Sequence, residues 1–512
     1  MKFMDREHFT PHFFSSERKG TVTGAVATLL GTLLGGGVLS LPFALRRSGI
    51  VVGALLLILT AIATDFSVFT LVSCSRRSGA STYEAVADKA FGRRAKLLCM
   101  CLVISVTYLP LVGYTILLRD LLAPIMEVIL DRTLDGVARN IMVSALVVLI
   151  APACTLKTLN ALRALSFCSV MAVSLLAVFI GIRAVGCACT EGVPMEAVNL
   201  WPEDGWAGAL QAIPIYICAF ACHFNVLPVH GELAKPTRER LHRMVHWTIG
   251  LVGVFYGLVM TLGYTYGVCR GEVSDNILND FGIDDPLMNI GRVGLAVTLL
   301  VSFPLLAVPL IGTLVRAHRE MAGVDSRNKG PLLQLEGAAG VWPPPRSGST
   351  ELEDPLLMTV TPSLQFSETD SFCVSDSSDG GMLNETMECE GGLVAGDQQP
   401  HRESEDDISF KTRVWLTGAI LSSELLLAFN ITMVTDVWGF LGSTANVLVA
   451  FTLPCATYLK IRLHLPRLRQ KQTGYLYKKW VAAVLVLISA VASIACTANS
   501  FYLVSTRNQD GP

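Results

Sequence analysis

Residues 31–42 read Gly31-Thr32-Leu33-Leu34-Gly35-Gly36-Gly37-Val38-Leu39-Ser40-Leu41-Pro42, inside an otherwise apolar stretch. Each glycine costs about 1 kcal/mol in a helix interior relative to alanine, and a proline removes an amide donor. A helix running into this segment is expected to unwind. The half that follows would present unpaired amides and the positive end of its dipole, which favour a carboxylate. The same glycines also suit close packing between helices. A second segment runs from Ala212-Ile213-Pro214 through Phe220-Ala221-Cys222-His223-Phe224-Asn225 to Pro228. There two prolines bracket His223 and Asn225, polar groups that would face a bundle interior at membrane depth.

Two acids lie inside apolar runs, Asp65 and Glu424. A charge at the bilayer centre costs about 2.5–3.5 kcal/mol or more, so both are candidate proton carriers. For Asp65 the plainer reading is pairing near an interface, and for Glu424 a hydrogen bond to a neighbouring helix. His223 is a third candidate, because unperturbed imidazole titrates near neutral pH.

The elements that must position these groups are membrane helices. The chain has 512 residues, of which 52% are hydrophobic and 16% charged, with mean hydropathy +0.51. A helix needs about 20 apolar residues to cross a bilayer. Such runs occur near 21–45, 49–73, 97–118, 140–154, 164–186, 206–230, 245–268, 289–315, 414–433, 437–459 and 480–504, predicting an all-α integral membrane protein of about eleven spans. With the N-terminus in the cytosol, 31 of the 40 Lys and Arg fall on the inner side, as the positive-inside bias requires. Arg46 and Arg47, between spans 1 and 2, are the exception. The expected layout is an inner tail at 1–20, spans 1–8 within 21–316, an inner loop at 317–410, spans 9–11 within 411–505, and an outer or lumenal tail at 506–512. No cleavable signal pattern precedes span 1.

Between Ser347 and Phe410 one basic residue, Arg402, stands against fifteen acids. Such a segment buries too little apolar surface to fold alone. Its hydroxyls lie among acids, as at Ser375-Asp376-Ser377-Ser378-Asp379, which makes it a candidate substrate of acidophilic kinases or a plain solvated tether. The sequon at Asn384 falls in this loop and the one at Asn430 lies close to the membrane, so neither is expected to carry a glycan.

Fourteen cysteines include no paired C-x-x-C, which disfavours a zinc module. Cys187 and Cys189 follow span 5, and Cys269 follows span 7. A disulfide from Cys269 to one of the pair is an expectation for an oxidising exterior or lumen, with free thiols as the alternative. The chain shows no Gly-x-Ser-x-Gly, no phosphate-cradling Gly-Lys-Ser/Thr and no His-Glu-x-x-His, so an enzyme or ATP-driven pump is not expected. The net charge of −2 points to no nucleic-acid partner.

The two interrupted segments lie in spans 1 and 6, five apart. That interval suits inverted repeats of spans 1–5 and 6–10 with span 11 appended, and interruptions at corresponding positions of two repeats point to a binding site. The chain resembles the amino acid/auxin permease family, which includes sodium-coupled neutral and proton-coupled amino acid transporters. The matching residues are Gly35 to Pro42 with Gly49, Tyr83-Glu84 to Phe91-Gly92, Phe220-Ala221-Cys222-His223 through Pro228 to Glu232-Leu233, and Asp436-Val437-Trp438 through Gly442-Ser443-Thr444-Ala445 to Leu453-Pro454. The resemblance implies a secondary active transporter in which a monomer is the transport unit. Its substrate would be a neutral amino acid held between broken helices 1 and 6, around Gly35, Gly36, Gly37, Val38, Phe220, Cys222 and His223. It also implies a bridge between the loops that hold Cys187, Cys189 and Cys269. Sodium-coupled members carry an asparagine four residues before the first motif glycine, where this chain has Gly31. The loss of that side-chain oxygen favours protons over sodium, although Gly31, Thr32, Thr298 and Ser302 could still offer oxygens. No cofactor beyond the coupling ion, H+ or Na+, is expected. The plasma membrane and a vacuolar or lysosomal membrane are both open, and so is an amino acid-sensing receptor that signals through the 317–410 loop.

Overall fold

Polar residues set the helix starts. Thr21, Asp135 and Thr237 each stand just before a helix, and their side-chain oxygens accept hydrogen bonds from the amides of Gly24, Ala138 and Arg240. Asp285 does the same for Leu287 and Met288, with Pro286 as the first helical residue. Each cap satisfies an amide that the first turn leaves without a partner.

The computed structural model describes residue 15 and residues 18–155, 163–322, 409–431, 433–463 and 473–509. The acidic loop, its sequon at Asn384, most of the N-terminal tail and residues 510–512 lie outside the described residues. Among the described residues there are eleven apolar spans, counting a bent pair as one. Span 1 is Val22–Leu33 followed, across a 53° bend, by Gly36–Ser48. Spans 2 to 5 are Ile50–Ser78, Arg93–Leu130, Gly136–Cys154 and Arg163–Thr190. Span 6 is Trp206–Ala219 and His223–Glu232. Spans 7 to 9 are Arg238–Arg270, Pro286–Met321 and Phe410–Asn430, span 10 is Val434–Ile461, and span 11 is Thr473–Gln509. A short helix, Tyr83–Phe91, joins spans 2 and 3.

Span 3 exceeds its expected run of 97–118 at both ends. It begins on the polar turn at Arg93 and continues past Arg119, Asp120 and Pro124. Hydropathy marks the part of a helix that can sit in lipid, not where its hydrogen bonds stop. Lipid-side positions are exposed and apolar, as at Leu55, Ile58, Leu59 and Ile62 of span 2, while the interior is packed with Leu, Val, Ile and aromatic side chains.

Arg46 and Arg47, the exception in the charge pattern, are ion-paired. Arg47 donates to Asp204 at 2.5 Å and Gln211 at 2.7 Å, and Arg46 Nε lies 3.6 Å from Glu203. Between them, Gly49 has φ +72° and lies against the backbone of Leu200 and Trp201, a conformation and closeness that suit glycine alone. At the other end, Glu84 accepts from Arg316 at 2.9 Å, and Glu320 from Arg93 at 2.8 Å and Lys96 at 2.5 Å.

Candidate functional site

The helical run of span 1 stops at Leu33. Gly35 is extended, with φ −106° and ψ −159°, and a tight 3-10 turn runs from Gly36 to Ser40. The first amides of a helical segment have no partner within it, and here they belong to the glycines. A Cβ on Gly35 would come within 2.5 Å of the Tyr114 hydroxyl, and one on Gly36 would collide with Leu117. The glycines therefore both unwind the helix and admit span 3 against it.

Span 6 breaks at Phe220–Cys222. Pro214 and Pro228 do not mark the break itself; each lies inside one helical half. The two breaks meet. Asn225 donates to Thr32 Oγ1 at 3.1 Å. The Tyr256 hydroxyl of span 7 donates toward the carbonyls of Leu33 at 2.5 Å and Ala219 at 2.8 Å.

A cavity of about 50 Å³ opens at this junction. Its wall includes Thr32, Gly35 and Gly37 of span 1, Cys218, Ala221 and Phe224 of span 6, Tyr114 of span 3, Leu306 of span 8, and Trp438 and Asn446 of span 10. None of the residues that line it carries a charged side chain. Trp438 is buried, and its indole N–H has no partner among the described residues. Asn446 arrives from a π-helical stretch, Gly442–Asn446, of the kind that often marks functional sites. There the backbone of Gly442 lies too close to Pro214 to leave room for a Cβ.

The expected substrate residues divide accordingly. Gly35 and Gly37 are on the wall, while Gly36 faces Leu117 and Val38 is buried. Phe220, Cys222 and His223 are buried but are not among the lining residues. Phe220 packs edge-on against Tyr256 at 5.2 Å, and His223 Nε2 bonds Ser67 of span 2 at 2.8 Å. At the break Phe220 and His223 turn toward neighbouring helices, while Ala221 and Phe224 face the cavity.

The expected ion ligands are scattered. The hydroxyls of Thr298 and Ser302 donate one turn back along span 8, to Gly294 and Thr298, and Thr32 donates to Thr28. Gly31 is buried in span 1. Asp65 does not reach the junction. It bonds His246 Nδ1 at 2.6 Å beside an open apolar groove lined by Leu57, Ile58, Ala61 and Ile62. Glu424 is fully buried between spans 9 and 3. Its Oε1 accepts from Thr115 at 3.0 Å, and its Oε2 has no partner among the described residues. Cys187 and Cys269 are disulfide-bonded, with Cα atoms 6.4 Å apart, and Cys189 is free and exposed.

The groups that sequence reasoning missed are Tyr114, Tyr256, Trp438 and Asn446. Trp438 lies in the Asp436-Val437-Trp438 segment that carries the resemblance, and at Gly113, beside Tyr114, a Cβ would stand 2.6 Å from the Trp438 ring. Nothing local distinguishes Tyr256 from other buried tyrosines.

The family model described as "Transmembrane amino acid transporter protein" matches residues 18–501. Vacuolar amino acid transporter 7 of Saccharomyces cerevisiae is 24% identical over 86% of this chain and 88% of its own length. Amino acid transporter AVT6E of Arabidopsis thaliana is 29% identical over 58% of the chain. A Mus musculus relative, named provisionally as sodium-coupled neutral amino acid transporter 11, is 28% identical over 56% of it. The chain spans 63% of the length of each of these last two. In fold it is similar to MhsT, solved in complex with L-phenylalanine, with TM-score 0.53, 11% identity and coverage of 92% of this chain and 98% of that one.

Proposed function

This chain belongs to the transmembrane amino acid transporter protein family, an inverted-repeat fold of about eleven spans with helices 1 and 6 broken, and we propose that it moves small neutral amino acids by alternating access, coupled to protons. The observation that carries the proposal is the cavity at the junction of the two breaks, whose wall has no charged side chain. A zwitterion brings its own charges. Its carboxylate suits the amides and dipole at the Gly36 end of the second half-helix. Its ammonium suits carbonyls that the breaks release. A charged side chain would find no counter-ion, so a neutral one fits best. Opening the cavity to either side is the work of the rocking bundle.

Protons are preferred to sodium because of Glu424. Ionised, it would be an uncompensated charge at a cost of several kcal/mol, so a companion must enter or leave with it. Thr115, its partner, adjoins Tyr114 of the cavity wall. A proton movement at Glu424 can thus be felt at the substrate through two adjacent residues of span 3.

Reconstituted vesicles test this. A gradient of about one pH unit supplies about 1.4 kcal/mol, enough for roughly tenfold accumulation. Labelled small neutral amino acids should accumulate under that gradient without sodium, and a panel of competing amino acids ranks the substrates. Uptake that needs sodium and ignores the pH gradient would remove the proton arm. Vesicles that take up no amino acid at all would remove the whole reading.

A further inference from the structure

Two half-helices end facing one point. The first half of span 1 ends at Leu33 and the first half of span 6 at Ala219. Helix C-termini leave carbonyls without intrahelical partners and carry the negative end of the dipole. Two such ends brought together in a dry core repel each other unless a donor or cation lies between them. In interrupted-helix transporters, carbonyls of this kind hold the coupling cation.

Here that point is taken by a side chain. Tyr256 of span 7 is fully buried, and its hydroxyl stands 2.5 Å from the Leu33 carbonyl and 2.8 Å from the Ala219 carbonyl. The Leu33 carbonyl also receives the Gly35 amide at 2.8 Å. The Phe220 ring, directly after Ala219, meets the Tyr256 ring edge-on at 5.2 Å and 77° and so aims the hydroxyl. Leu33 and Ala219 both line the cavity, while Tyr256 itself does not. The hydroxyl therefore sits behind the site and grips its two halves.

We propose that Tyr256 is a positioning residue that ties the two helix breaks together, its hydroxyl proton standing where a bound cation would otherwise bridge the carbonyls. The substrate cavity is then assembled at this point without an ion. The proposal rests on the reading that substrate binds at the breaks.

Its test is Tyr256→Phe in the full chain, reconstituted and compared with wild type for half-saturation concentration, maximal rate and thermal midpoint. The ring is kept, so packing against Phe220 remains. Removing the shared donor should raise the half-saturation concentration roughly tenfold, with a much smaller fall in maximal rate and a lower midpoint, because two buried carbonyls lose their donor. Phe220→Leu, which keeps the hydroxyl but loosens its aim, should give a rise in the same direction, roughly two- to fivefold. An unchanged half-saturation in Tyr256→Phe overturns the proposal, as does a lowered midpoint with unchanged half-saturation. If Tyr256→Phe does not fold, Phe220→Leu decides, and an unchanged half-saturation there overturns it. Failure of wild type to take up substrate speaks instead against the transport reading.

Discussion

Asp65 and Glu424 are both carboxyls inside apolar spans, and the fold treats them in opposite ways. Asp65 lies on the outer side of span 2, its side chain 27% exposed, with His246 of span 7 at 2.6 Å. Next to His246 come His242, bonded to it at 3.2 Å, and Phe69, stacked on His242 at 4.4 Å. Glu424 is wholly enclosed, with one neutral hydroxyl and no paired cation among the described residues. A carboxyl beside an imidazole in a half-open setting has a hydrogen-bond partner of its own and access to solvent. A carboxyl with neither water nor cation needs a travelling companion. Position in the sequence does not separate the two, but enclosure does.

The largest effect is expected where that contrast is erased. Glu424→Gln keeps the shape and the acceptor for Thr115 but removes the proton site. Accumulation driven by a pH gradient should fall from roughly tenfold toward unity, while exchange of labelled for unlabelled substrate continues. If the glutamine variant still concentrates substrate under a pH gradient, Glu424 is structural and the contrast with Asp65 disappears.

A much smaller change is expected from Asp65→Asn or His246→Leu. Half-exposed ion pairs contribute about 0–1 kcal/mol, so the thermal midpoint should move by no more than about 2 °C. Uptake and its pH dependence should stay close to wild type. A loss of proton-driven accumulation in Asp65→Asn, with Glu424 intact, would reverse the assignment.

The same contrast explains what was legible in the sequence. Run length and positive charge mark the spans because lipid forces every backbone group to be satisfied within the helix, and a run of glycines and a proline announces the break in span 1 for local reasons. The break in span 6 is different. Its prolines sit in the flanking halves, and the break falls at Phe220–Cys222, where no residue is a strong helix breaker. The Tyr256 hydroxyl, 37 residues away, bonds the Ala219 carbonyl at its edge, a tertiary contact without a local signature. His223 shows the same limit: its polarity is evident in the sequence, but not the Ser67 hydroxyl to which it turns. Asp65 and Glu424 could be listed from hydropathy, yet ranking them required knowing which faces of spans 2 and 9 look inward.

A third carboxyl, outside the spans, extends the comparison. Asp280 lies in the loop between spans 7 and 8, and both its oxygens accept from the Ser274 amide at 3.1 Å. Burial pushes its pKa from 3.8 up to about 6, against those Ser274 bonds, and the neighbouring Glu272 and Asp275 add to the rise. A carboxyl whose folded value lies above its unfolded one stabilises the fold fully below about 4, and that contribution fades as pH rises through about 6. Because the group is only partly enclosed, the effect is on the order of 1 kcal/mol. Asparagine imitates the neutral acid at every pH. Thermal midpoints of Asp280→Asn relative to wild type should therefore improve between pH 4 and pH 7, with uptake unchanged. A difference between the two proteins that stays constant over that range would mean that the loop holds Asp280 as comfortably charged as neutral, and that enclosure alone does not rank this protein's carboxyls.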